Sequence, residues 1–125
     1  MKEQHQFAFS ALLMLLAVAA GAFGAHGLRP LLEPRMLEVW ETAVLYHLIH
    51  AIALLVIAAL QMQKPGRGFG LAWSVMLGGL LLFSGSLSTI VLPGWRAIGP
   101  VTPLGGLTLM LSWLLVAWAG YRSAA

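Results

Sequence analysis

Four side chains within one short stretch have the types and the spacing that can support chemistry. Glu41, Tyr46, His47 and His50 fall within ten residues at the start of a long apolar segment. Tyr46 and His50 are four residues apart and His47 and His50 are three apart, so on an α-helix each pair shares a face. A histidine beside a tyrosine and a carboxylate can move a proton, bind a ligand or hold a metal ion. Which role is open to these residues depends on what surrounds them.

The donor set is poor for a metal or haem centre. The His47–His50 pair lacks the supporting Glu-x-x-His pairs that di-iron helical bundles use. A haem held by two histidines needs them at matched depth on separate helices, and His26 lies nearer the membrane edge than His50. A haem- or metal-binding redox protein is therefore the least favoured interpretation, and we predict no cofactor and no metal.

The composition excludes several catalytic mechanisms. The chain has no cysteine, which removes thiolate nucleophiles, zinc–thiolate sites and cysteine-ligated iron–sulfur clusters. It also has no aspartate, which removes aspartate-based phosphotransfer and protease mechanisms. The serines have no acidic partner at matched depth, so a Ser-His-Asp arrangement is unsupported. Because no active site is recognisable, the sequence favours a protein that is not an enzyme.

The overall composition places the chain in a membrane. Of its 125 residues 60% are hydrophobic and 9% are charged, whereas an average soluble domain is about 25% charged. A chain of this length has too little interior to bury so much apolar surface as one soluble domain. The net charge of +3 comes from basic residues scattered singly through short loops. Such residues suit contact with anionic lipid headgroups, so we predict a lipid partner and no nucleic acid.

Long stretches without charge predict four transmembrane helices. A bilayer core about 30 Å thick needs about 20 apolar residues. The stretches that meet this length lie near 7–26, 38–62, 70–92 and 103–121. Turn formers and helix breakers, among them Pro30, Pro65 and Pro93, occupy the loops between them. The sequence thus predicts an all-α membrane protein, a single domain over 1–125 folded as a bundle of four transmembrane helices.

The charges at the ends of these helices predict how the chain is inserted. Glu3 ahead of the first apolar run, and the continuation of that run through Ala25, favour a retained helix over a cleaved signal peptide. Four spans put both termini on one side together with the second loop. That side carries Lys2, Lys64, Arg67 and Arg122, and the other side carries Arg29, Arg35 and Arg96. Loops rich in Lys and Arg stay in the cytoplasm, so we predict both termini there.

Antiparallel helices bring further polar residues to the leaflet that holds Tyr46 and His50. Thr102 is predicted to cap the fourth helix ahead of Pro103. The predicted polar cluster consists of His26, Glu41, Tyr46, His50, Ser84, Ser86 and Thr102. The opposite leaflet looks almost featureless, with tryptophans such as Trp73 near helix ends as interfacial anchors.

We expect His50 to be neutral within this cluster. A charged side chain at the membrane centre costs about 2.5–3.5 kcal/mol, so a neutral ring with hydrogen-bond partners is favoured. Tyr46 and the serines of the third helix are the predicted partners. The commonest role for such a residue is to tie helices together, and proton transfer or ligand binding is the functional alternative.

Several of these positions form motifs that resemble one known family. The motifs are GAFGAHGL at 21–28, ETAVLY at 41–46 followed by His50, FSGSL at 83–87 and TPLGG at 102–106. Together and in this order they resemble the family called domain of unknown function 423, also known as uncharacterised protein family 0382. The resemblance implies a four-helix inner-membrane protein with no established activity. It carries over His26, Tyr46, His50, Ser84, Ser86 and Thr102 as motif positions without roles. The chain departs from the pattern at His47, where glutamine is more common.

Two functions of different classes fit the sequence. A structural or interaction protein of the plasma membrane would pack with itself, with lipid or with a partner, and this is the function we favour. A small oligomeric transporter or channel would instead use His50 and Glu41. Four helices in 125 residues resemble the small multidrug exporters in architecture, but the first predicted helix here carries no acid of the kind those proteins need. The sequence does not identify a small-molecule ligand.

Overall fold

The computed structural model describes residues 2–123, which form four long helices. These are α1 (Glu3–Phe23), α2 (Pro34–Gln63), α3 (Phe69–Val91) and α4 (Val101–Ser123). A π-helical turn, Gly24–Leu28, continues α1, and a short 3-10 helix, Arg96–Ile98, precedes α4. The described residues contain no strand, and all four long helices have the length and apolar composition to cross a membrane. The predicted fold class, an all-α membrane protein with four transmembrane helices, is confirmed.

The helices extend beyond the apolar stretches that predict them. α1 begins at Glu3 and α2 at Pro34, each four residues before the predicted start. Proline suits the first turn of a helix because its missing N–H has no intrahelical partner there. α4 begins at Val101, and the Thr102 N–H donates to the Gly99 carbonyl at 3.1 Å. Thr102 therefore lies inside the first turn, and its prediction as the capping residue is wrong.

α2 and α3 form the centre of the bundle. α1 packs against α2, α2 against α3, and α3 against α4. Nine residues are buried in each of α2 and α3 and only four in each of α1 and α4. The outer helices turn large apolar side chains such as Leu15, Leu107 and Leu114 outward. In a bilayer this outward apolar surface faces lipid, which is the environment that the composition requires.

Glycines let the backbones of α3 and α4 approach closely. A Cβ atom on Gly105 would lie 2.8 Å from Phe83 Cα, and one on Gly79 would lie 2.8 Å from the backbone nitrogen of Leu109. Membrane helices gain little from apolar burial alone, because lipid is equally apolar, so close van der Waals contact must supply the association energy. The contact of α3 with α4 therefore depends on the absence of side chains at Gly79 and Gly105.

Buried polar groups also occur at the end of the bundle where α1 and α3 begin. The Trp73 indole Nε1 donates to Ser10 Oγ at 2.9 Å, and Ser10 Oγ donates to the Gln6 carbonyl at 2.7 Å. Trp73 is only 2% exposed, and Phe9 packs edge-on against it. Trp73 is therefore a buried tie between helices and not the predicted interfacial anchor. The prediction that this leaflet is almost featureless is wrong for the same reason, since a buried indole needs an acceptor nearby.

Replacing Gly105 with alanine should destabilise the bundle, whereas the same change at Gly106 should not. The new methyl group at Gly105 meets the Phe83 backbone, which cannot rotate away, and overpacking of this kind costs about 1–3 kcal/mol. A Cβ on Gly106 lies 3.8 Å from the Phe83 ring, an ordinary contact, and alanine favours helix there. Unfolding of both variants in detergent measures the difference. Equal stability of G105A and G106A would contradict the close approach.

Candidate functional site

The centre of the site is His50, which α2 and α4 hold between them. α2 and α4 run in the same direction through the bundle, and His50 and Trp113 both lie near the middle of their helices. His50 is 5% exposed. Its Nδ1 lies 2.8 Å from the Tyr46 carbonyl, and the Trp113 indole Nε1 donates to His50 Nε2 at 3.0 Å. Both ring nitrogens thus have partners within the chain.

These two partners fix the tautomer of His50. A carbonyl oxygen only accepts, so Nδ1 must carry the hydrogen, and an indole only donates, so Nε2 must present its lone pair. The arrangement fits a neutral ring, as a low-dielectric environment favours. The serines of α3, which we predicted as partners, do not bond to it. Trp113 was missed, although its matched depth on a parallel helix and its position away from a helix end were signals available in the sequence.

Aromatic rings line one side of this contact and leave a cavity beside it. The Tyr46 ring stacks on His50 with centroids 5.9 Å apart and an interplanar angle of 10°, and it lies 4.4 Å from the Phe83 ring. A cavity of about 540 Å³ opens here between α2 and α4, with Pro103 and Met110 on its far wall. Its lining is mostly apolar, and no charged residue contributes to it. Such a cavity suits a hydrophobic group and offers few polar groups for catalysis.

Three hydroxyl groups of the predicted cluster, those of its two serines and its threonine, join helices at two other points. Ser84 Oγ donates to the Ala43 carbonyl at 2.9 Å, which ties α3 to α2. Ser86 Oγ donates to the Phe83 carbonyl at 2.9 Å, so Thr102 supplies the hydrogen for the 2.5 Å Ser86–Thr102 bond that ties α3 to α4. Each hydroxyl donor is bonded within the chain. These residues therefore act as interhelical ties and not as free nucleophiles.

Two members of the predicted cluster lie elsewhere. His26 is exposed in the π-helical turn and makes no hydrogen bond to any residue in the described part of the chain. The Glu41 carboxylate lies 3.7 Å from the Arg29 guanidinium, and both side chains are more than half exposed. Glu41 lines a groove between α1 and α2, whereas His50 lines the cavity between α2 and α4. The sequence predicts Glu41 nearer the interface than His50 and in a different sector of α2, and their separate cavities agree with that sector.

His47 also points away from His50. It lines a cavity of about 210 Å³ that Leu13 of α1 and Ser84 of α3 help to form. Its Nε2 is buried and has no hydrogen-bond partner within residues 2–123, although the Leu13 carbonyl lies beside the ring. The two histidines thus face different cavities. In the described range, no three or more His, Cys, Asp or Glu side chains are grouped to hold a metal ion.

Apolar outer faces, with polar groups bonded across the helix contacts, define an integral membrane protein of four helices. The family described as "Protein of unknown function (DUF423)" matches residues 20–106. The chain belongs to this family, as the sequence motifs predicted.

Several bacteria have relatives of this chain that are named UPF0382 membrane proteins. The UPF0382 membrane protein YwdK of Bacillus subtilis is 41% identical over 109 residues, which cover 86% of this chain and 89% of that protein. The UPF0382 membrane protein SAB0533 of Staphylococcus aureus is 35% identical over 91% of this chain and 93% of its own length. A UPF0382 membrane protein of Haemophilus influenzae is 38% identical over 90% of both chains. No solved structure matches the chain.

Removing the indole donor at Trp113 should weaken the bundle at His50. The Trp113→Phe variant keeps one aromatic ring but has no indole N–H, so His50 Nε2 loses its partner, and interhelical hydrogen bonds in membranes are worth about 0.6–2 kcal/mol. Trp95→Phe is the matched control, because Trp95 is 60% exposed in the third loop. Unfolding free energies in mixed micelles compare the two. Equal losses would show that the His50–Trp113 bond does not stabilise the bundle.

Proposed function

We propose that this protein has a structural or interaction role in the membrane, where it packs with itself, with lipid or with a partner. The observation that carries the proposal is the complete bonding of the His50 ring. Its Nδ1 is bonded to the Tyr46 carbonyl and its Nε2 to the Trp113 indole. The ring cannot accept a second proton without breaking the contact of α2 with α4, because Nε2 would then be a donor facing a donor. This favours a tie between helices over a proton carrier.

The positions of Glu41 and His50 argue against the transporter or channel that would use both. The two residues are nine positions apart on α2, which is about 13 Å along the helix axis. They line separate cavities, and Glu41 lies at an exposed position 3.7 Å from Arg29, whereas His50 is buried. A transport path would need a chain of polar groups between these cavities, and the residues lining them are mostly apolar. Transport is therefore the second candidate.

We further propose a bacterial inner-membrane protein with both termini in the cytoplasm, built as one domain over residues 1–125. Lys64 Nζ in the second loop donates to the Ser123 carbonyl near the end of α4 at 2.8 Å. Lys64, Arg67 and Arg122 thus belong to the same end of the bundle as Lys2. An excess of Lys and Arg in short loops favours the cytoplasmic side. Relatives that are named membrane proteins in three bacteria support the membrane location.

Substitution of His50 tests the structural role directly. His50→Ala should lower the unfolding free energy by about 1–3 kcal/mol, because the Trp113 indole is left without an acceptor. His26→Ala is the control, since His26 is exposed and lies outside these contacts. The wild type and the two variants are each reconstituted in liposomes and assayed for flux of protons and of cationic dyes. We expect no flux above that of empty liposomes from any of them.

The transporter would be established by the opposite pattern. Wild-type flux that disappears in His50→Ala, with the unfolding free energy unchanged, would overturn the structural proposal.

A reporter fusion tests the proposed orientation. An alkaline phosphatase fused after Ala125 should be inactive, because this enzyme folds only outside the cytoplasm, and a fluorescent protein at the same place should be bright. Insertion of each reporter into the first loop at Pro30 should give the reverse result. An active phosphatase at Ala125 would place the termini outside.

A further inference from the structure

A groove on the surface of α1 and α2 has features that neither the helix ties nor the proposed function uses. It holds about 310 Å³, near the lower end of ligand sites, which are typically about 300–1,000 Å³. Gly21, Gly24 and Ala25 line one side of it, and α2 residues from Trp40 to Leu48 line the other. The groove is apolar along most of its length.

Gly24 and Trp40 shape the floor of this groove. A Cβ atom on Gly24 would lie 2.6 Å from the Trp40 indole, so only glycine lets the ring lie against α1. The indole Nε1 donates to the Ala20 carbonyl at 3.0 Å, and Trp40 is buried. The floor is therefore fixed by a hydrogen bond and a close contact, and it does not depend on an occupant for its shape.

Charge of both signs lies at the mouth of the groove. Arg29 follows the π-helical turn in the chain, and its guanidinium lies 3.7 Å from the Glu41 carboxylate. This is longer than the about 2.7–2.9 Å of a well-formed charge-assisted hydrogen bond, so each group keeps the capacity to bind another partner. Leu48 lies seven residues beyond Glu41, which is about 10 Å deeper along α2. The site thus has a charged end at the membrane surface and an apolar end toward the membrane centre.

One free backbone carbonyl adds partial negative charge at the same place. The Arg29 N–H donates to the Gly24 carbonyl, as the wide π-helical turn requires. The next donor in this pattern, for the Ala25 carbonyl, would be residue 30, which is a proline and has no N–H. The N–H groups of Leu31 and Leu32 both donate to Leu28. The Ala25 carbonyl, at the groove wall, is thus left available to an external hydrogen-bond donor at the negative end of a helix.

We propose that this groove binds one phospholipid whose headgroup carries both a phosphate and a primary ammonium, as in phosphatidylethanolamine. The phosphate pairs with the Arg29 guanidinium, which presents two parallel donors to such a group. The ammonium lies between the Glu41 carboxylate and the Ala25 carbonyl and donates to both. One acyl chain follows the apolar wall from Val44 to Leu48.

The chemistry of the mouth distinguishes this lipid from two others. Phosphatidylglycerol has the phosphate but offers no cation to Glu41. Phosphatidylcholine has the same charges, but its quaternary ammonium has no N–H to donate to the Ala25 carbonyl. The proposal is independent of the role of His50, because the two sites lie on different sides of α2.

Native mass spectrometry of the delipidated full chain tests the proposal. The chain is incubated with equal amounts of phosphatidylethanolamine, phosphatidylcholine and phosphatidylglycerol that have the same acyl chains. Exposed charge pairs contribute modestly, so we expect the ethanolamine lipid to be retained about two- to fivefold over each of the others. Ala25→Phe, at an exposed position, should fill the groove and lower the binding of all three lipids.

Charge variants test whether the preference for the ethanolamine lipid arises at the mouth of the groove. Glu41→Gln should abolish the preference for the ethanolamine lipid over phosphatidylglycerol, and Arg29→Gln should lower binding of all three. Glu38→Gln and Arg35→Gln are matched controls, because both residues are exposed nearby but do not line the groove. Helix content and unfolding temperature are measured for every variant. Equal retention of the three lipids by the wild type, or a loss of preference in the controls as large as in Glu41→Gln, would overturn the proposal.

Discussion

Inside a bilayer no water is present to bond a polar group, so each buried donor must find its acceptor within the protein. Three indole N–H groups meet this requirement by joining different pairs of helices. Trp40 bonds to α1 from α2, Trp73 bonds to α1 from α3, and Trp113 bonds to α2 from α4. Close glycine contacts and the directional bonds of the indoles together set how each helix is rotated against its neighbours, and the cavities and grooves follow from that rotation.

Close backbone contact complements these bonds between α3 and α4. α3 and α4 touch through Gly79 and Gly105, with the Ser86–Thr102 bond at one end of the contact. The outer faces of α1 and α4 carry large apolar residues, which need no partner other than the equally apolar lipid. α2 and α3 each pack against two neighbouring helices, which explains why most of the buried residues belong to them.

The sequence predicts the number of helices, their class and the depth of each polar residue, because charge and hydropathy vary along the chain in one dimension. It does not predict rotation about the helix axis or the lateral position of each helix. Ser84 and His50 illustrate the difference, since both lie in the predicted leaflet but Ser84 bonds to the Ala43 carbonyl and His50 to the Trp113 indole. Thr102 and Trp73 were assigned to a cap and to an interface by position alone. Their hydrogen-bond partners, Ser86 and Ser10, became evident only from the packing of α3 against α4 and α1.

The bonds of Trp73 to Ser10 and of Trp113 to His50 each join residues 63 positions apart. A growing chain inserts its helices in order, so both acceptors enter the membrane well before their donors are synthesised. At a synthesis rate of about 5–20 residues per second, each acceptor is made roughly 3–13 s before its indole donor. The His50 Nδ1 bond to Tyr46 forms as soon as α2 is helical, while Nε2 stays open until α4 arrives. Synthesis of α4 thus supplies the last partner of the His50 ring, and a ribosome that stalls before Trp113 leaves a three-helix intermediate in which His50 Nε2 is unpaired.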